Sequence, residues 1–140
     1  MAETLLREQI RCSQETDRIA ASSAGLAAFD GEAASSGACI AMSRRGLSLE
    51  NHSARRISRT LIAEADLILT MGESHKQILL SFAPEVRHKV YSLCEYAGEP
   101  GEIHDPYGRD ASIYEERAAE IEQALEKIWH KIILLAGKKQ

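Results

Sequence analysis

Cysteine is scarce and unpaired: Cys12, Cys39 and Cys94 form no CxxC, and three is an odd number. That argues against a disulfide framework or a zinc site, and the three read as reduced thiols. Long apolar runs are missing too. The run 132–136 is far below the roughly 20 residues a membrane span needs, and the N-terminus lacks a basic-then-apolar signal pattern. The expectation is a cytoplasmic chain with no membrane partner. Positive charge shows no excess, with 17 Lys and Arg against 21 Asp and Glu and a net charge of −4, so no nucleic-acid footprint is present. Repeats, low-complexity segments, internal linkers and motifs for a metal or cofactor are likewise not found.

What is present is 44% hydrophobic content over 140 residues, enough for one domain with a real core. Residues 2–11 combine good helix formers with an apolar face of Leu5, Leu6 and Ile10, and Glu3 sits where the helix dipole favours an acid. Residues 18–25 read as a short strand ending at Gly25, 66–71 as a strand covered on both faces, and 89–96 as a third strand. Helices are expected over 31–45, 55–65, 74–82 and 112–136. The last carries Ile121, Leu125, Ile128, Ile132 and Leu135 at steps of three and four, a core-packing stripe. Strands separated by helices imply an α/β fold with a mostly parallel sheet.

The stretch CSQETDR, 12–18, is a literal C-x5-R, a spacing that can wrap a phosphate between a thiolate and a guanidinium. A phosphate cradle needs inward amides, small residues and a following helix N-terminus. This stretch follows a helix, precedes the expected strand, contains no glycine, and places Glu15 and Asp17 where a dianion would sit. At ~4 Å and an effective dielectric near 20, each such repulsion costs about 4 kcal/mol. Nothing beside Cys12 in the sequence is expected to activate its thiol. A polar helix-to-strand connection is the better reading.

Three other stretches carry more. In HDPYG, 104–108, Pro106 holds Asp105 extended and Gly108 permits a tight turn, so a carboxyl could be aimed at a leaving group. SSAG, 22–25, and GLSLENHSAR, 46–55 with His52, have ordinary readings as strand-end and surface chemistry. In order and at these separations, together with MAETLL, AMSRRGLSL, ADLILTM and HKQIL, they resemble the low-molecular-weight protein-tyrosine-phosphatase family. The bacterial branch that includes protein-arginine phosphatases is the nearer likeness. The resemblance spans nearly all 140 residues.

The resemblance implies three layers around a parallel sheet. It also implies a phosphorylated protein substrate, phosphotyrosine or phosphoarginine, with HKQIL and DPYG pointing toward the arginine branch. Asp105 matches the general acid, Ser23 and His52 match residues that hold the phosphate loop in shape, and Tyr107 is a substrate-cleft candidate. The family's cysteinyl-phosphate chemistry also needs C-x5-R-S-P just before the first helix, and residues 1–140 contain none. The expectation is therefore a single domain, 1–140, truncated at its N-terminus, without its first, central strand and without a nucleophile. Either the start lies at an internal Met or the chain is a degenerate relative; as it stands it should be inactive. The strands at 18–25 and 66–71 would lose a partner, so the chain alone should be poorly soluble, partly unfolded or self-associated through bare edges, with direct pairing of the two strands as the main escape. Two other classes are a non-enzymatic binding module, engaging a protein through the Tyr107 loop or through 41–56 with its four arginines, and an arsenate reductase-like protein. The second ranks last, since Cys39 and Cys94 have no relay spacing.

Overall fold

The computed structural model describes residues 1–26, 31, 33–50 and 52–138. The order is α1 (Ala2–Cys12), α2 (Ser36–Ser43), α3 (Arg59–Glu64), β1 (Ile68–Thr70), α4 (Glu73–Phe82), a 3-10 turn (Pro84–Lys89), β2 (Val90–Ser92), α5 (Leu93–Tyr96) and α6 (Ala111–Lys138). β1 and β2 pair in parallel, with Ile68 opposite Val90 and Thr70 opposite Ser92.

Alternation along β1 makes three layers. Leu67, Leu69 and Met71 pack on a core shared by α1, α2, α5 and α6, while Ile68 packs on a second cluster built from α3, α4 and the 3-10 turn. Successive strand side chains point to opposite faces, so one short strand serves both cores. The α6 stripe behaves as its spacing predicts: Ile121, Leu125, Ile128 and Ile132 are buried, and Leu135 is half-buried near the helix end.

Four boundaries differ from the sequence reading. Residues 18–25 are not a strand; among the described residues the segment makes only an isolated parallel bridge between Gly25 and Arg56. Its carbonyls are used otherwise, with Ala21 O accepting from Arg7 Nε at 2.9 Å and Ser23 O from Arg55 Nε at 3.1 Å. It does not pair with β1, whose sheet has two strands among the described residues. The strand expected over 89–96 stops at Ser92, because Ser92 and Glu95 form a reciprocal capping box that starts α5. The helix expected over 31–45 begins at Ser36, where the Ser35 hydroxyl accepts from Ala38 N at 3.4 Å; Glu32 lies outside the described residues. The helix expected over 55–65 begins at Arg59, capped by Ser58 at 3.2 Å.

Candidate functional site

Ser23 and His52 come together at the first turn of α1, and the residue that joins them is Glu3. One carboxylate oxygen of Glu3 accepts from Ser23 Oγ at 3.0 Å and lies 3.4 Å from His52 Nδ1. The other lies 3.0 Å from Arg7 Nη2, one turn along the helix. Glu3 is therefore a hub: its side chain is only 14% exposed and that of His52 24%. Local geometry explains the convergence. His52 N bonds Leu49 O at 3.0 Å, and Leu49 is buried in the main core, so the turn presents His52 toward α1. Arg55 reaches back to Ser23 O, completing the tie between 22–25 and 52–56. Between α1 and these segments lies an open polar cleft of about 380 Å³, whose walls also carry Thr4, Ser48 and Ser53. Asn51, part of the same sequence stretch, lies outside the described residues.

Asp105 and Tyr107 occupy a different loop and are not among the residues lining that cleft. Ile103 anchors the loop: its side chain is 6% exposed in the core and its N–H bonds Met71 O, just past the end of β1, at 2.8 Å. Glu102 adds a second tie, its Oε2 accepting from Glu73 N at 3.2 Å and so capping α4. The turn itself follows the DPYG reading. Asp105 Oδ1 accepts from Tyr107 N at 2.9 Å, Arg109 N bonds Pro106 O at 2.9 Å, and Gly108 has φ +79°, the left-handed conformation glycine adopts freely. Asp105 is exposed, and Tyr107 is 81% exposed.

The C-x5-R stretch does not assemble. Cys12 is the last residue of α1, its thiol 3.4 Å from Glu8 Oε1. Arg11 Nη2 does approach the sulfur at 3.6 Å, a neighbour the sequence reading overlooked, but it is paired with Glu8. Arg18 turns to Glu15 at 3.4 Å. Of the other thiols Cys39 is exposed, whereas Cys94 is buried, and burial pushes its thiol up, away from the reactive thiolate.

Glu3, Arg7 and Arg55 were not read as site residues. Glu3 does favour the start of a helix, but its partners lie 20 and 49 positions away, beyond any local pattern. Arg7 at i+4 from Glu3 was the one legible hint.

Comparison with known proteins agrees with this arrangement. The family profile described as low molecular weight phosphotyrosine protein phosphatase matches residues 1–135. The low molecular weight protein-tyrosine-phosphatase Wzb of Salmonella typhi is 45% identical over 93 residues, 66% of this chain; the match spans only 62% of that relative's length. The protein-arginine-phosphatase of Bacillus subtilis (strain 168) is 35% identical over 107 residues, 76% of this chain and 71% of that protein. A solved structure of the YwlE arginine phosphatase, a mutant with a phosphorylated active-site serine, superposes with a TM-score of 0.88 at 30% identity, covering 94% of this chain and 85% of that one. With the α/β layers, the parallel sheet and a profile match over almost its whole length, the chain belongs to the low molecular weight phosphotyrosine protein phosphatase family.

Proposed function

We propose that this chain is the body of a cytoplasmic phosphoprotein phosphatase, acting on phosphotyrosine or phosphoarginine, in which Asp105 is the general acid. The observation that carries this reading is the anchoring of the Asp105 turn to Met71, at the carboxyl end of β1. In open parallel sheets, ligands bind outside the carboxyl ends of the strands. An acid tied there through a buried Ile103 is held in place without being desolvated.

The chemistry that fits is double displacement. A thiolate attacks phosphorus, Asp105 gives its proton to the departing oxygen or nitrogen, and the resulting carboxylate then takes a proton from the water that hydrolyses the cysteinyl-phosphate. The phosphorylated active-site serine of the YwlE mutant supports a covalent phosphoenzyme. Relatives named as tyrosine and arginine phosphatases support the substrate class. The gathering of Ser23 and His52 at Glu3, in the first turn of α1, supports a role in steadying a loop entering that helix.

No C-x5-R-S-P occurs in residues 1–140, so this chemistry needs that loop supplied ahead of Met1. The 140 residues alone should hydrolyse no more aryl phosphate than buffer, and turnover lost on Cys12→Ser would overturn that. Fusing a relative's first strand and C-x5-R-S-P upstream should give a phosphatase. In that fusion Asp105→Asn should slow the first chemical step by about 10²- to 10⁴-fold; unchanged turnover would remove Asp105 from the role. Until such a strand is supplied, β1 keeps a bare edge among the described residues, and the isolated chain should self-associate. A light-scattering mass that stays monomeric as concentration rises would argue against this.

A further inference from the structure

α1 serves two clefts with two faces. Glu3, Thr4 and Arg7 line the polar cleft, whereas Leu5, Glu8 and Gln9 turn to a separate groove of about 240 Å³ between α1, α6 and the turn after α2. The two share no lining residue. The floor of the groove is apolar: Leu5 and Leu125 are buried in the main core and Leu47 packs against it. Its polar lining is acidic. Three carboxylates, Glu8, Glu122 and Glu126, against the single guanidinium of Arg45 leave the lining with a net charge of −2.

The cations nearby are already committed. Arg45, its side chain 17% exposed, donates to Glu115 Oε1 at 2.5 Å and lies 3.4 Å from Glu122 Oε2, and Arg11 is paired with Glu8. Glu126 is exposed and makes no ion pair among the described residues. The seam is also short of hydrogen-bond donors. Among the described residues two buried side-chain atoms lack a partner, and both are oxygens at this place: Gln9 Oε1 in the lining and Glu115 Oε2 on the carboxylate that holds Arg45. An apolar floor ringed by unsatisfied acceptors calls for a ligand with an apolar body and charged donors.

We propose that this groove binds an aliphatic diammonium ion of the polyamine class. Glu122 and Glu126 lie one turn apart on one face of α6, about 6 Å along its axis, which suits two ammonium groups joined by four methylenes. The methylenes lie on the leucines and each ammonium donates to a carboxylate. With Glu8 on the α1 wall, the occupant ties α1 to α6. A bare metal ion fits less well, since the described residues gather no group of three metal-ligating side chains and the leucine floor offers it no donor atom. The site uses neither Asp105 nor the first turn of α1, so it stands or falls independently of the catalytic proposal.

The test is ligand-detected NMR of butane-1,4-diamine with the 140-residue chain at constant ionic strength, a measurement that tolerates self-association. Butylammonium, neutral butane-1,4-diol and Nα-acetyl-lysinamide serve as competitors. The diamine should bind saturably, and about three- to fivefold more tightly than butylammonium, the scale of one exposed ion pair. Glu126→Gln, at an exposed and unpaired position that the fold does not depend on, should weaken it by the same factor. Glu116→Gln makes the same change of charge on α6 outside the groove and should leave it within about twofold. Equal weakening by the two variants would reduce the effect to general charge attraction and overturn the proposal. So would equal binding of the diol or of acetyl-lysinamide, which would show that the second ammonium finds no partner, or the absence of saturable binding by the wild type.

Discussion

Gly37→Ala offers a sharp test of how the main core is closed. Gly37 lies in the first turn of α2, against Tyr114 of α6, and a methyl added there would meet the ring at Cδ2, Cε2 and Cγ, all closer than any real carbon contact. Tyr114 is 7% exposed and its neighbours Ala38, Ala41 and Met42 are buried in the same seam. Two responses are open. The ring could swing out, but an aromatic side chain buries on the order of 150–250 Å², worth roughly 4–6 kcal/mol at about 25 cal/mol per Å². Sliding α2 off α6 is cheaper, since overpacking of a tight core costs about 1–3 kcal/mol. Three atoms in conflict put the cost near the top of that range, and the better helix propensity of Ala returns at most about 1 kcal/mol. The net is a destabilisation of about 2 kcal/mol, or a Tm lower by roughly 6–8 °C for a chain of this size. Thermal melts followed by circular dichroism at fixed protein concentration read it directly. An unchanged or higher Tm would refute the packing argument. So would an equal loss in a Tyr114→Ala background, where the three ring atoms are gone and the two substitutions should couple strongly.

Gly72→Ala probes the Asp105 loop instead. Gly72 is extended (φ −148°), but an added Cβ would sit 2.8 Å from Glu102 Oε2. The flexible carboxylate can move aside, so global stability should change by under about 1 kcal/mol, the lost cap offsetting the stiffer unfolded chain. Exchange at the Glu73 amide should nevertheless quicken; unaltered protection there would mean that Glu102 is not its partner. Acid should weaken two helix starts. Lys76 holds the Glu95 carboxyl below the usual range, and Ser112, with the Ile113 amide, does the same for Asp110. Carboxyls depressed in the folded state contribute stability above their unfolded values and lose it as pH falls through the folded ones, so the urea midpoint should be flat down to about pH 5 and drop below about pH 4. A midpoint unchanged below pH 4 would show that neither pairing matters.

How much of this was legible in the sequence depends on the distance over which each feature is decided. α4 and α6 follow from apolar spacing, and β1 from an apolar run flanked by turn residues. The end of β2 was legible in principle, because Ser92 and Glu95 spell a capping box, but the apolar character of KVYSLCEY hid it. Residues 18–25 could not be read locally. Their small side chains give no strong period, and two of their carbonyls accept from Arg7 and Arg55, 14 and 32 positions from the atoms they bind. Ser23 and His52 became candidates only through the family resemblance; Glu3, which unites them, had no signal beyond its place in a helix start.

The two parts of the candidate site are held by different forces, and that sets how each should respond to change. The Asp105 turn hangs from Ile103, buried in the main core, and from a backbone bond to Met71. Neither depends on charge, so salt and moderate pH should leave the Asp105 turn where it is even where the Glu102 cap on Glu73 N weakens. Ser23 and His52 are held through one carboxylate and its ion pair with Arg7, whose side chain is 61% exposed. Exposed pairs of this kind are worth little individually and are screened by salt. The cleft is thus the adjustable half of the site and the Asp105 turn the fixed half. A loop entering α1 would meet a cradle that shifts with ionic strength.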